Sequence, residues 1–397
     1  MVAVKIRPWM RRVWKAARVL LALFVALVLV ALVDGWRAFG HGPTGERLER
    51  VMHSPEWKDG TFRNPQPLIN DAIGSLTGAG AASPDTSPRA PLPTQTVDPK
   101  LFATPAPSGL RVTWFGHSTT LVEVDGHRVL TDPLWSNRIS PVDGVGPTRF
   151  FPPLIALGDM PVPDAIVISH DHFDHLDFGT ISAMKDWSTT FIVPLGVGAH
   201  LSYWGVPDAH IKEMDWWEST TIGNLTVTCT PARHASGRAP WDQDHTLWAG
   251  WALTGPSHRV YYSGDTGLFP AMADIGTRLG PFDLTMIEVG QYHKAWPDWH
   301  IGPEQAVDAH RLVRGRAMLP VHWAGLALAY HAWTEPGERV LTAAQKAHVT
   351  LLLPKPGESI EPTIPRTFEK WWPTVPTRTA EQDPIVSGNL GGLTIPP

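Results

Sequence analysis

The sequence predicts an α/β domain carried behind a membrane-length apolar helix, and three observations predict it. Short apolar runs at 165–169, 225–230, 259–263, 284–289 and 317–321 read as buried strands, with helical periodicity at 303–314 and 343–347. Just beyond four of these runs come His170, His234, Asp265 and His322, so polar chemistry gathers at strand ends. Near the amino terminus, Val19–Val33 is an unbroken apolar run of fifteen residues.

In chain order, residues 1–18 form a basic cytoplasmic segment, with Lys5, Arg7, Arg11, Arg12, Lys15, Arg18 and no acid. Residues 19–33 are the transmembrane or signal-anchor helix. Spanning takes about 20 apolar residues, about 17 at the least. Ala16 and Ala17 extend the run into that range, with Arg18 snorkelling to the interface. Basic flanks stay inside, which predicts a single-pass anchor in the cell membrane with the rest of the chain outside the cytoplasm. Secretion after signal cleavage is the alternative, and Ala38-Phe39-Gly40 is the nearest small-x-small site.

Past that basic stretch the chain has 27 basic residues against 38 acids, a formal charge of about −11. A body so acidic lacks the footprint of a nucleic-acid binder. The single cysteine, Cys229, excludes an internal disulfide and a thiolate metal cluster. Residues 34–108 read as an arm with scattered aromatics followed by a Pro/Ala/Ser-rich linker too poor in apolar surface to fold alone. The main domain is 109–359. It opens with "LRVTWFGHSTTLVEVDGHRVLTDP", a β-hairpin pattern turning at Asp125-Gly126. Residues 360–397 are a Pro-rich tail.

The loop after the 165–169 run, "SHDHFDHLD", packs three histidines and three aspartates into nine positions. On a helix His170, His172, Asp174 and His175 would scatter around the axis; on a turn after a strand they converge. His234, Asp265 and His322 each follow another strand. Imidazole and carboxylate donors without thiolate suit zinc, with manganese or iron as possibilities. Seven ligands are too many for one tetrahedral ion and suit two ions about 3.5–4 Å apart sharing one carboxylate.

The run His-x-His-x-Asp-His, followed in order by a strand-end His, an Asp and a final His, resembles the metallo-β-lactamase superfamily. The resemblance implies a four-layered αβ/βα sandwich with two zinc ions between its sheets. It assigns His170, His172 and His234 to one ion, Asp174, His175 and His322 to the other, and Asp265 to the bridge. The stretches "SPEWKDGTFRNPQP", "TWFGHSTTLVEVDG", "LTDPLWSNRISP", "MDWWES", "GDTGLFPAMADIGTRLGPFDL" and "PVHWAG" further resemble the N-acyl-phosphatidylethanolamine-hydrolysing phospholipase D family and its bacterial relatives, from about Ser54 to Ser359.

That resemblance implies a dizinc hydrolase that cleaves a glycerophospholipid phosphodiester through a metal-bridging hydroxide, with Asp174 and Asp265 holding the hydroxide. It also places His300 near the substrate phosphate. The expected partners are a phospholipid or other ester substrate and a membrane, with no nucleic acid; no oligomeric state is implied. A lactone, lactam or carboxylic ester hydrolase with the same ligands is one alternative, and a non-catalytic envelope binding protein is another. Asp171 and Asp177 are expected to shape the loop, and His117 to orient the site or fill a strand. Phe173 stands where the mammalian enzymes often have tyrosine. Trp216, Trp217, Trp296 and Trp299 are candidates for a lipid groove or an interfacial belt.

Overall fold

A computed structural model describes residues 8–142 and 144–396, so Lys5 and Arg7 of the basic segment lie outside the described residues. The first helix, α1 (Pro8–Gly35), is longer than the apolar run that announces it. Arg11, Arg12, Lys15 and Arg18 continue into the helix instead of forming a separate segment, because long basic side chains are good helix formers. The membrane-length stretch is Trp9–Val30, and none of its apolar core is buried against the domain.

Residues 34–108 are more ordered than their composition implies. They hold α2 (Gly45–Met52), a small hairpin pairing Trp57–Lys58 with Thr61–Phe62, α3 (Ala72–Gly80) and a single 3₁₀ turn at Pro99–Ala103. The order comes from docking: Phe62, Leu92, Val97 and Phe102 are buried in the domain's core.

Strands β1 (Leu110–Trp114), β2 (Thr120–Val124), β3 (His127–Thr131), β4 (Ala165–Val167), β5 (Thr190–Pro194) and β6 (Ile211–Met214) belong to one sheet. A second sheet holds β7 (Ser219–Ile222), β8 (Leu225–Thr230), β9 (Gly250–Thr254), β10 (Arg259–Tyr262), β11 (Phe282–Glu288), β12 (Gly315–Val321) and β13 (Thr350–Leu351). The edge strand β14 (Ser359–Ile360) returns to pair with β1, giving two sheets of seven strands among the described residues. Each sheet is antiparallel in one half and parallel in the other: pairing switches at β3–β4 and at β10–β11. The β2–β3 turn, Asp125-Gly126, takes positive φ at both positions, as two-residue hairpins prefer.

Helices α4 (Phe178–Met184) and α5 (Val197–Tyr203) connect strands of the first sheet. The second sheet has α6 (Ala271–Arg278), α7 (Pro303–Leu312) and α8 (Glu335–Lys346), the last beginning well before residue 343. One apolar core runs through both sheets. The Trp251 indole N–H donates to the Ile168 carbonyl across them at 2.9 Å. Covered on both faces, the central strands read as continuous apolar runs, and the layers form the αβ/βα sandwich. The tail has no regular structure after Ile360, yet Trp371, Trp372 and Ile385 are buried. Proline denies it strands and helices, while its aromatic side chains strap it to the core.

Candidate metal centre

The parallel halves of both sheets end on one edge, and that edge collects the polar loops. The turn after β4 carries His170, His172, Asp174 and His175; the segment after β8 brings His234; Asp265 follows β10 and His322 follows β12. Gly264, at φ +57°, lets the Asp265 turn lie flat on the first loop: a Cβ there would meet that of Ser169 at 2.6 Å. Backbone strain gathers here too, with positive φ at His117, Asp132, Gln291 and His322.

Two ligand sets converge. His170 Nε2 lies 2.8 Å from His172 Nδ1, which lies 3.2 Å from His234 Nε2. Three nitrogens held on one tetrahedral zinc at ~2.05 Å would sit about 3.3 Å apart, close to these separations. In the second set, His175 Nε2 and His322 Nε2 each lie 3.3 Å from Asp174 Oδ2. Asp265 Oδ2 stands between the sets. It is 3.0 and 3.2 Å from the nitrogens of His175 and His322, and 3.9 Å from those of His170 and His234.

The cluster fits metal ions on its own chemistry. His175 Nε2 and Asp265 Oδ1 are buried without a hydrogen-bond partner. The His234 Nδ1–H donates to the Trp299 carbonyl at 2.9 Å, and the His175 Nδ1–H to Asp132 at 2.7 Å. Both bonds fix the ring so that Nε2 faces the cluster. Burial and adjacent imidazoles hold His170 far below its usual pKa, hence neutral. Burial favours protonation of Asp265, but His175 and His322 outweigh it and hold the carboxylate well below its usual range. Burial likewise opposes charge on His322, yet Asp265 and Asp174 push it up to about 10. Without metals, then, Asp174 and Asp265 hold a proton on His322 while His170 stays neutral, and the pocket's electrostatics call for cations.

Four supporting residues lie outside the sequence-predicted site residues. Asp132 accepts from His175 and from the Ser169 amide at 2.7 Å each, and from the Tyr262 hydroxyl. Glu288, fully buried, accepts from the His300 Nδ1–H at 2.9 Å. Asn64, from the arm, brackets the His234 backbone, donating to its carbonyl at 2.6 Å. Arg238, also buried, donates to the carbonyls of Asp171 and Leu176 and, from Nε and Nη2, to Ala38 just beyond α1.

Asp171 faces away from the cluster, accepting from Gly237 N at 2.7 Å and from the Thr246 hydroxyl at 2.8 Å. Asp177 caps α4. His117 Nε2 lies 2.9 Å from Asp174, and burial with neighbouring His322 brings its pKa down to about 4. His300 sits on the cleft wall, its Nδ1 3.7 Å from Asp265. That cleft, about 280 Å³, has His172, Asp174, Asp265 and His322 on its floor and Asn70, Trp296, Trp299 and Leu328 on its walls. Trp216 and Trp217 do not line it. Trp216 donates to the Trp248 carbonyl, and Trp217 packs under Arg278.

A sandwich whose two sheets end on a paired His/Asp cluster defines a metal-binding centre at the sheet edge. The family description of a beta-lactamase superfamily domain matches residues 127–323. An uncharacterized protein of Mycobacterium tuberculosis is 48% identical over 332 residues, covering 80% of this chain and 87% of that protein. The N-acyl-phosphatidylethanolamine-hydrolyzing phospholipase D 1 of Caenorhabditis elegans is 39% identical over 228 residues, 54% of this chain and 64% of that one, under two thirds of its length. Among solved structures, a metallo hydrolase from the archaeon Ignicoccus hospitalis matches with a TM-score of 0.50 at 23% identity, over 63% of this chain and 97% of its own. The chain belongs to the metallo-β-lactamase superfamily.

Proposed function

We propose that the protein is a two-zinc phosphodiesterase that cleaves a membrane glycerophospholipid as a phospholipase D does, with α1 as its single-pass anchor and the domain outside the cytoplasm. The observation that carries this reading is the pairing of the His/Asp cluster with His300 across one cleft. The similarity to the nematode phospholipase D supports the substrate class. So does an apolar helix whose exit segment is tied to the cluster loop by Arg238.

His170, His172 and His234 would hold one ion, Asp174, His175 and His322 the other, with Asp265 shared. When bound, such ions supply Lewis acidity to a phosphoryl oxygen and lower the pKa of water from ~15.7 towards ~7. His300, with its Nδ1–H on Glu288, is oriented to present Nε2 to the substrate, and Glu288 stabilises the ring when it is protonated. In that form it donates to the phosphoryl group and passes a proton to the departing headgroup oxygen. Trp296, Trp299 and Leu328 shield the glyceryl side from water. The balance is simple: water's oxygen bonds to phosphorus, the phosphorus–headgroup bond breaks, and phosphatidic acid and an alcohol leave.

The test is a comparison of kcat/KM for a short-chain glycerophosphodiester and for a lactone of similar size, using metal-loaded protein. At least a tenfold preference for the phosphodiester is expected, with about 100-fold loss in His300→Ala at unchanged metal content. Preference for the lactone would overturn the proposal.

A further inference from the structure

Helix α3 is built inside out. A surface helix ordinarily turns its apolar stripe to the core and its polar face to water. In α3 no residue is buried, and the side chains pointing outward are Ile73 and Leu76, 76% and 77% exposed, continued by Ile69 at 42%. The side resting on the domain is made of glycine: a Cβ at Gly78 would come within 2.8 Å of His293 and 2.9 Å of Tyr330. Below lies a cavity of about 740 Å³ bordered by Gly74, Thr77 and Gly78, so little apolar surface holds α3 from within. Residues 72–83 carry no charge. The helix hydroxyls are satisfied inside it, Ser75 donating to the Asp71 carbonyl and Thr77 to that of Ile73. Such a helix is suited to a medium that offers no hydrogen bonds.

Its position says which medium. Asn70, just before α3, lines the metal cleft, as do His172 and Leu328. Phe173, next to His172 in the cluster loop but outside the cleft, packs against Phe39 in the segment leaving α1, and Phe39 in turn packs against exposed Trp241. One loop therefore joins the foot of the apolar helix, through Phe173, to a cleft that His172 lines and that Asn70 borders beside α3. Aromatic side chains at that foot suit the bilayer–water boundary.

We propose that α3 lies in the headgroup boundary of the bilayer that α1 spans, with Ile69, Ile73 and Leu76 in the acyl region, holding the cleft mouth against lipid. This rests on the reading of α1 as an anchor and of the cleft as the site of lipid hydrolysis. The acidic body gains nothing from anionic headgroups, so the contact is apolar and zwitterionic lipid suffices.

The experiment uses the full chain in phosphatidylcholine vesicles containing acyl-brominated phosphatidylcholine. An environment-sensitive fluorophore is attached to the L76C variant, the native Cys229 being buried. Quenching by the brominated lipid is expected. In the I73E/L76E variant the ratio of vesicle-lipid to water-soluble phosphodiester turnover should fall about tenfold, since burying one such side chain is worth more than a factor of ten. A chain that floats with vesicles but shows no quenching overturns the proposal and leaves the anchor standing; a chain that does not float removes both. Quenching with an unchanged ratio overturns the role at the cleft. Quenching without phosphodiester turnover supports the α3 contact and removes the proposed substrate. A blue-shifted label on a dimer in detergent, unquenched in vesicles, identifies a second copy as the occupant and overturns the proposal.

Discussion

Replacing Arg238 by Ala should loosen the cluster loop without touching a candidate ligand. The guanidinium makes four hydrogen bonds: two to the Ala38 carbonyl at 2.9 and 2.7 Å, one to that of Asp171 at 2.6 Å and one to that of Leu176 at 2.8 Å. It also lies 4.1 Å from the centre of the Phe173 ring. Its loss strands three carbonyls, at ~1–3 kcal/mol each when no partner replaces it. Two effects reduce that total. Water enters the emptied space, and the cost of burying the cation, visible in an Arg238 pKa lowered by burial to about 10, disappears with it. A net loss of about 3–4 kcal/mol remains. At ~2.1 cal/mol/K per residue over roughly 360 residues beyond α1, the melting entropy is ~0.76 kcal/mol/K, so Tm should fall by about 4–5 °C. The freed loop carries His172, Asp174 and His175, so metal release to a chelator should quicken by about 10-fold or more. The assays are thermal unfolding in detergent and chelator-trapped metal release. A Tm within about 1 °C of wild type together with unchanged release would refute the strap.

His172→Ala or His322→Ala should abolish turnover and lower metal content; elemental analysis with an activity assay checks both, and more than about a tenth of wild-type activity would remove the ligand assignment. A chain begun at Trp36 keeps the Ala38 carbonyl and should match the full chain in stability, whereas one begun at Gly42 should still bind metal but melt lower, by about the Arg238→Ala deficit; melting curves of the two decide. His310, buried beside the Thr285 hydroxyl, has its pKa pushed down by burial to about 4. The unfolded state binds its proton first as pH falls, so this site's stability is present above pH ~6.5 and is lost towards pH 4, by ~3 kcal/mol. The stability gap between wild type and His310→Gln should shift towards the variant over that range, and a constant gap would contradict the assignment.

Much of the cluster was legible because its chemistry is local: a metal loop needs several lone pairs within a few residues, and each later candidate follows a strand. The same strand-end signal was present for Asp132 in "LTDP" and for Glu288 in "TMIEVG". Neither is singled out by it, because hydrogen-bond support, unlike ligation, has no spacing rule. Arg238, Asn64 and Ala38 carry no local signal of the contacts they make. Their contacts join residues 62 to 200 positions apart, and nothing local in either partner announces the other. α3 was hidden by composition, since Gly, Ala and Ser read as linker when no apolar face points inward. The same limit applied to the tail, where proline content masked Trp371 and Trp372. The long apolar strands could be read because burial on both faces leaves no room for polar alternation.

In the proposed reaction water attacks at phosphorus. Hydrolysis of a short-chain glycerophospholipid by metal-loaded protein in ¹⁸O-labelled water, with mass analysis of both products, shows which atom is attacked. One ¹⁸O in the phosphatidic acid and none in the released alcohol is the predicted result. Label in the alcohol, label in a freed fatty acid, or no turnover of the phosphodiester would contradict it.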